Sequence, residues 1–177
     1  MNKPVCYAFI DGQNLYKSLQ EQSITLDFRA FRKHLQKKNN ATKAFYYIGY
    51  QPHNSELYRY LEGCGYELVF KEVSFEDDKV KGNIDAELIF TGMLWYNDYD
   101  KAIIISGDGD FIVFLKHLKE HKKLLKVILP NAFKTSQLIY KHVDGAYLVD
   151  IKALKKYYRE DSERLPEGAI PAGELLS

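Results

Sequence analysis

Acidic side chains stand at the ends of apolar segments in this sequence, where they could bind a metal ion together. Asp11 directly follows the first apolar run, and Asp108 and Asp110 follow a later run in the segment SGDGD. Asp85 opens a third apolar segment. Carboxylates that lie close together repel one another and resist loss of water, so such a cluster needs protons or bridging cations. Because Mg²⁺ and Mn²⁺ are hard ions that prefer oxygen ligands, the pattern predicts a divalent-metal site.

The elements around these residues follow an alternating pattern of strands and helices. Apolar runs typical of strands buried on both faces lie at 5–10, 44–50, 66–73, 102–106, 124–130 and 146–151. Helical signals lie between or after them. Periodicity indicates helices from 28, from 55 and from 111, and more weakly over 136–142 and 152–158. The segment 84–96 is strongly apolar and is expected to form a helix that packs deeply. This alternation predicts an α/β fold, a three-layer α/β/α sandwich around a mostly parallel sheet. Ligands bind such sheets beyond the carboxyl ends of the strands, where the predicted site lies.

Each aspartate also has a simpler interpretation as a helix cap. Asp11, Asp85 and Asp110 each stand at the start of a helical segment, where a carboxylate can accept backbone N–H groups. For any one of them, capping and metal binding are equally good interpretations. The joint pattern favours the metal site, because the SGDGD segment places two carboxylates within three residues at a strand end.

Composition limits the function classes that fit the chain. Its 177 residues are the size of one domain, with 46% hydrophobic and 28% charged residues. The 25 basic and 24 acidic side chains give a net charge of +1, which excludes a strongly basic coat protein but not a local basic surface. Cys6 and Cys64 lack metal-binding spacing. Since the first residues match neither a signal peptide nor a membrane span, we expect a cytoplasmic protein without membrane association.

Motifs of several other enzyme classes are missing from the sequence. It contains no GxxxxGK[ST] phosphate loop, no GxGxxG after the first apolar run, no HExxH and no GxSxG. His117 and His121 are four residues apart in a lysine-rich segment, which is more typical of a solvated helix face than of a metal site. Chemistry is therefore expected at the acidic residues.

Four segments, in this order, resemble the motifs of the NYN domain, a family also called LabA-like or DUF88 within the PIN-like nucleases. They are FIDGQNLY, KGNID, IIISGDGDF and SQLIYKHVDGAYLVDI. The resemblance runs from about Val5 to Ile151 and predicts an NYN domain over 1–158, followed by a polar C-terminal tail over 159–177 that we expect to be flexible. It implies the strand order 3-2-1-4-5, in which the first and fourth strands are neighbours.

The resemblance implies Mg²⁺- or Mn²⁺-dependent hydrolysis of RNA phosphodiester bonds. The carboxylates that would hold the metal and act in catalysis are Asp11, Asp85, Asp108 and Asp110. In this hypothesis one ion lies between Asp11 and Asp108, and a second binds Asp85 or Asp110 together with the phosphate. Substrate-binding roles are expected at Asn14 and Ser106, which would support the site or touch the scissile phosphate, and at Lys81 and Lys116, which would hold flanking phosphates. The expected partner is single-stranded RNA.

Aromatic residues leave two further questions open. Tyr16 and Tyr50 could stack on bases, although core packing is the favoured interpretation for Tyr50. Tyr157 and Tyr158 could serve a homodimer or belong to the core. Trp95, at the end of the segment 84–96, is expected in the core.

One position departs from the family pattern and motivates an alternative function. Family members often carry an aspartate six residues after the position of Asp85, where this chain has Thr91. The alternative is a catalytically weak or inactive RNA-binding or scaffold module with the same fold. A phosphatase of the haloacid-dehalogenase kind is disfavoured, because its second aspartate is replaced here by Gln13.

Overall fold

The computed structural model describes residues 3–71, 74–76, 79–81 and 84–160. It describes only the backbone at 74–76, 79–81, 84–85, 155 and 158–160. The strands are β1 (Cys6–Asp11), β2 (Ile24–Leu26), β3 (Ala41–Gly49), β4 (Glu67–Lys71), β5 (Ser74–Glu76), β6 (Lys79–Lys81), β7 (Lys101–Ile105), β8 (Leu124–Leu129), β9 (Leu148–Asp150) and β10 (Tyr158–Glu160). The helices are α1 (Gly12–Glu21), α2 (Phe28–Asn39), α3 (Ser55–Gly63), α4 (Ile84–Leu94), α5 (Ile112–Glu120) and α6 (Gln137–His142).

A parallel sheet of six strands forms the centre of the protein. Its order is β4-β3-β1-β7-β8-β9, and all five neighbouring pairs are parallel. The six strands correspond to the six apolar runs in the sequence. Numbered within this sheet, they follow the order 3-2-1-4-5-6, which is the predicted order with a sixth strand added at one edge. The predicted α/β class with a mostly parallel sheet is therefore confirmed.

Alternating side chains of the sheet form two hydrophobic cores, one on each face. Ile10 of β1 packs in the core that includes α1, α2 and α3, whereas Phe9 packs in the core that includes α4, α5 and α6. This arrangement is the predicted three-layer sandwich. It requires apolar residues at consecutive positions of the central strands, and this requirement explains why strands such as β1 and β7 are visible in the sequence as continuous apolar runs.

Helix α4 packs less deeply than its apolar sequence suggests. Leu88 is fully buried, but Phe90 and Leu94 are 64% and 63% exposed. Trp95 is 37% exposed, and the Lys43 ammonium lies 5.1 Å from its ring centroid. The expectations that the whole segment packs deeply and that Trp95 is a core residue are therefore wrong. A helix on the outer layer presents only one side to the sheet, so apolar residues on the other side stay exposed.

The C-terminal part of the described chain differs from the expected helix. Residues 152–158 were predicted to be helical, but the structure has a 3₁₀ segment, Ile151–Tyr157, followed by β10. β10 pairs antiparallel with β2, with Tyr158 opposite Leu26. The predicted boundary between domain and tail falls inside this strand. Residues 161–177 lie outside the described part of the chain, so the division and the flexible tail stay predictions.

Four described strands of three residues each lie outside the six-stranded sheet. β2, β5, β6 and β10 were not predicted, because three residues are too few to carry a periodic signal. Within the described residues, no helix has the length and hydrophobicity needed to cross a membrane.

Candidate metal and nucleic-acid site

Two neighbouring parallel strands, β1 and β7, bring Asp11 and Ser106 together at the carboxyl edge of the sheet. Asp11 is the last residue of β1, and Ser106 directly follows β7. Both side chains continue the alternation that places Phe9 and Ile104 on the face covered by α4 and α5. The Ser106 hydroxyl donates a hydrogen bond to Asp11 Oδ2 at 3.1 Å. This contact joins residues 95 positions apart in the chain.

A short series of hydrogen bonds connects this pair to the SGDGD turn. The Asp108 N–H donates to Ser106 Oγ at 3.1 Å, so one hydroxyl contacts both acidic residues. The Gly107 N–H donates to Asn14 Oδ1 at 3.0 Å. Asp11, Asn14, Ser106 and Asp108 therefore form one connected group, which we call the acidic edge cluster.

Asp11 and Asp108 belong to this cluster and also cap helices. Asp11 Oδ1 accepts the Asn14 N–H at 3.0 Å and caps α1. Asp108 Oδ1 accepts the Asp110 N–H at 3.0 Å and caps the 3₁₀ helix Gly109–Phe111. Asp110 lies within that short helix and is exposed. Each cap fixes its carboxylate in one orientation at the sheet edge.

The electrostatic environment changes across the cluster from buried to exposed. Asp11 is only 4% exposed and Ser106 only 1%, whereas Asp108 is half-buried. Burial, followed by the nearby negative charge of Asp11, raises the pKa of the Tyr46 phenol well above its usual range. A buried carboxylate needs compensating donors or cations. Hydrogen bonds from Asn14 and Ser106 supply part of that compensation, and a bound cation would supply more.

Close packing against α6 supports the SGDGD turn. A Cβ atom on Gly109 would overlap Ser136 Oγ and lie 3.0 Å from Ser136 Cβ. The Ser136 N–H donates to the Gly107 carbonyl at 2.9 Å, and Ser136 Oγ accepts the Leu138 N–H at 3.3 Å as the cap of α6. The start of α6 therefore holds the turn in place, and glycine at position 109 permits this approach.

The structure does not show the remaining predicted site residues, Asp85, Lys81 and Lys116, in contact with the acidic edge cluster. Asp85 lies in the first turn of α4 and Lys81 in β6, but both side chains are outside the description. Lys116 is exposed on α5. Where side chains are described, no group of three or more His, Cys, Asp or Glu residues is arranged to hold a metal ion. The structure thus joins Asp11 to Asp108, and convergence of all four carboxylates stays a prediction.

Thr91, at the position of the family aspartate, is buried on the inner side of α4. It is 9% exposed and lies close to the phenol of Tyr47, which stands opposite Asp11 in the β1–β3 register. Burial raises the pKa of Tyr47 well above its usual range, and the Thr91 hydroxyl partly opposes this effect. Position 91 therefore faces the same side of the sheet as Asp11.

A basic group that the sequence did not fully reveal lies on α5 and α6. Partial loss of solvent and the nearby ammonium groups of Lys116, Lys141 and Lys119 lower the pKa of His142. Lys119 also forms an ion pair with Asp144 at 2.8 Å. Lys141 and His142 were missed because their proximity to Lys116 depends on how the two helices pack. We refer to Lys116, Lys119, Lys141 and His142 as the basic group.

Comparisons with known proteins agree with the motifs and the fold. The family model of the NYN domain matches residues 7–150. The structure is similar to VPA0982 from Vibrio parahaemolyticus RIMD 2210633, a protein of unknown function, with 25% identity and a TM-score of 0.68 over 84% of this chain and 93% of that one.

Weaker similarity extends to bacteriophage T5 proteins. A mutant T5 5′-exonuclease is 15% identical, with a TM-score of 0.45 over 79% of this chain and 56% of that one. The T5 flap endonuclease in a complex with DNA and metal ions is 13% identical, with a TM-score of 0.47 over 78% and 60%. No functionally curated protein matches the chain. Because the family model covers most of its length, this chain belongs to the NYN domain family.

Proposed function

We propose that this NYN domain is a divalent-metal-dependent ribonuclease that hydrolyses phosphodiester bonds of single-stranded RNA at the carboxyl edge of its sheet. The observation that carries the proposal is the hydrogen-bonded connection from Asp11 through Ser106 to Asp108. It places two acidic residues from distant parts of the sequence at the ends of neighbouring parallel strands. The choice of RNA as substrate and of Mg²⁺ or Mn²⁺ as the ion follows from the family motifs.

The donor atoms of the acidic edge cluster fit a hard divalent cation. They are carboxylate, hydroxyl and amide oxygens, the ligands that Mg²⁺ and Mn²⁺ prefer, and no sulfur or imidazole ligand lies among them. Asp11 and Asp108 would hold the ion, and Asp85 and Asp110 would complete its ligands. When bound, the ion stabilises the charge that develops on the phosphoryl oxygens.

The residues of the chain itself have distinct roles in this proposal. Ser106 would fix Asp11 and Asp108 relative to each other, because its hydroxyl donates to the Asp11 carboxylate and accepts the Asp108 N–H. Asn14 uses its carbonyl oxygen to accept the Gly107 N–H, so its amide NH₂ is the group that would donate to a phosphate oxygen. Lys116, and Lys81 on β6, would neutralise flanking phosphates.

The proposal is tested with the variant Asp108→Asn, which keeps the shape of the side chain but removes its charge. Cleavage of a fluorescently labelled single-stranded RNA is measured in Mn²⁺ and in chelator. Activity should fall at least about 100-fold, beyond the ~10–100-fold loss typical of groups that only support a metal ligand. Asp98→Asn, at an exposed aspartate after α4, is the matched control and should keep full activity. Undiminished metal-dependent cleavage by folded Asp108→Asn would sink the proposal.

A second candidate function is an RNA-binding or scaffold module with little or no turnover. The buried Thr91 at the position of the family aspartate favours it, because one carboxylate is thereby removed from the site. Calorimetric titration with Mn²⁺ separates the two functions. Binding that Asp11→Asn abolishes supports the enzyme, whereas RNA binding without detectable Mn²⁺ binding supports the module.

Cellular location and association are the remaining parts of the proposal. We propose a cytoplasmic protein, and the homodimer stays a prediction. The Tyr157 hydroxyl lies 3.0 Å from His34 Nδ1 and the ring packs against one core, so this side chain is used within the chain. Sedimentation velocity at several protein concentrations measures association directly.

A further inference from the structure

Three aromatic side chains, two of them exposed and one buried beneath them, form a group at the carboxyl ends of β3 and β4. The Tyr50 ring stacks on Tyr58, with centroids 5.9 Å apart and an interplanar angle of 27°. The Phe70 ring meets Tyr50 edge-on at 5.5 Å and Tyr58 at 4.8 Å. Tyr50 and Phe70 are 50% and 41% exposed, so the expectation that Tyr50 packs in the core is wrong. We refer to Tyr50, Tyr58 and Phe70 as the aromatic platform.

Hydrogen bonds to the backbone hold this platform in one arrangement. The buried Tyr58 hydroxyl accepts the Gln51 N–H at 2.7 Å and lies 3.2 Å from the Gly49 carbonyl, to which it donates. The Tyr50 N–H donates to the Lys71 carbonyl at 3.5 Å. The segment that carries Tyr50 is thus fixed from both sides. A surface that is ordered before binding loses less entropy when a ligand binds.

The platform lies at the same edge of the sheet as the acidic edge cluster. Asp11 stands opposite Tyr47 in the β1–β3 register, and Tyr50 is three residues further along. At about 3.3 Å per residue and about 4.8 Å between strands, Tyr50 is on the order of 10–15 Å from Asp11. A single strand of a few nucleotides can span this distance. The platform lies on the α3 side of the edge and Asp11 on the α4 side, so a strand bound to both would cross the ends of β1 and β3.

We propose that the aromatic platform is a base-stacking subsite for an unpaired nucleotide of the RNA substrate. The inference rests on the proposed function and makes it more specific, because it locates a contact that requires single-stranded RNA. Exposed, rigid aromatic rings beside a phosphate-binding site are suited to stacking on bases, whatever the base. Bases within a duplex are already stacked and paired, so they cannot reach such a surface.

The test measures binding of a fluorescein-labelled ten-nucleotide single-stranded RNA by anisotropy, in chelator so that metal-dependent cleavage stops. Tyr50→Leu should weaken binding about 5- to 150-fold, the range that corresponds to loss of one base–aromatic stack. Tyr50→Phe keeps the ring and should stay within about twofold of the unchanged protein. Phe70→Leu provides a second loss of ring, and Phe90→Leu on α4 is the control for an exposed ring elsewhere.

Abasic RNAs make the test specific to stacking. One base at a time is removed from the ten-nucleotide RNA, and affinity is measured for the unchanged protein and for Tyr50→Leu. One abasic position should weaken binding to the unchanged protein and have no further effect on Tyr50→Leu, because both changes remove the same contact. Two results would contradict the subsite. One is an equal loss of RNA affinity for both proteins at every abasic position, and the other is unchanged RNA affinity of Tyr50→Leu and Phe70→Leu.

Cleavage assays in Mn²⁺ separate this inference from the proposed function. If Asp108-dependent cleavage persists and Tyr50→Leu leaves RNA affinity and KM unchanged, only the subsite is wrong. If affinity depends on Tyr50 but no Asp108-dependent cleavage occurs, the subsite stands and the proposed enzyme is wrong.

Discussion

At the scale of single residues, the acidic edge cluster depends on one serine hydroxyl. Ser106 donates to Asp11 Oδ2 and accepts the Asp108 N–H, both at 3.1 Å, and it is 1% exposed. No other residue type with a short side chain except threonine can donate and accept at one oxygen. The pairing of β1 with β7 brings the two acidic residues to one edge, and this hydroxyl links them there.

Ser106→Ala should lower both stability and activity. The change leaves Asp11 Oδ2 without this donor and the Asp108 N–H without its acceptor, at a cost of about 1–3 kcal/mol in the free energy of unfolding. Urea denaturation measures this cost, and RNA cleavage should fall together with Mn²⁺ affinity. Ser18→Ala, at a buried serine of α1, is the control and should keep Mn²⁺ affinity. Equal Mn²⁺ affinity for Ser106→Ala and the unchanged protein would contradict the role given to the hydroxyl.

The sequence predicted the members of this cluster but not their connections. Asp11 and Asp108 were visible because each follows an apolar run, and Asn14 and Ser106 because they belong to family motifs. The roles of Asn14 and Ser106 as hydrogen-bond partners depend on β1 and β7 being adjacent, so they could be seen only in the fold. Exposure of Tyr50 was also not predictable, since the run 44–50 ends outside the sheet and sequence alone does not give that end.

At the scale of elements, six strands were predictable and the outer surfaces of helices were not. Strands buried on both faces need continuous apolar runs, which are easy to find in a sequence. Helix α4 is also strongly apolar, yet Phe90 and Leu94 are exposed because only one side of the helix meets the sheet. Hydrophobicity without periodicity therefore predicted the position of this helix but not its depth.

Gly109→Ala should disturb the contact between the SGDGD turn and the start of α6. The added Cβ would overlap Ser136 Oγ, so the turn or the helix must move, at a cost of about 1–3 kcal/mol. The control is Gly63→Ala at the end of α3, where the added Cβ would meet no atom from outside the local helix backbone within 4 Å. That change should be neutral or stabilise by up to about 1 kcal/mol, because alanine favours helix. Urea denaturation compares the two, and equal effects would show that α6 does not support the turn.

At the scale of the whole molecule, charge is balanced overall but distributed unevenly. The net charge is only +1, while Lys116, Lys119 and Lys141 are close enough together to lower the pKa of His142. A local basic surface of this kind attracts a polyanion without making the protein as a whole basic. We therefore expect RNA affinity to depend strongly on salt through this group.

Lys116→Gln should weaken RNA binding and reduce its dependence on salt. Loss of one phosphate contact lowers the slope of log K against log salt concentration by about 0.7 for a single strand. Anisotropy titrations at several KCl concentrations measure this slope. Lys37→Gln is the matched control, because Lys37 is an exposed lysine of α2 on the opposite face of the sheet. The same slope for Lys116→Gln and Lys37→Gln would mean that the basic group does not contact RNA.

The contact between Asp11 and Ser106 spans 95 positions, and this separation has a consequence during synthesis of the protein. A ribosome adds roughly 5–20 residues per second, so Asp11 precedes its partner by roughly 5–20 s. A growing chain therefore carries only one half of the proposed catalytic centre until the segment around β7 has left the exit tunnel. Folding of the first strand alone therefore cannot assemble the centre, which has to wait for β7 to dock beside β1.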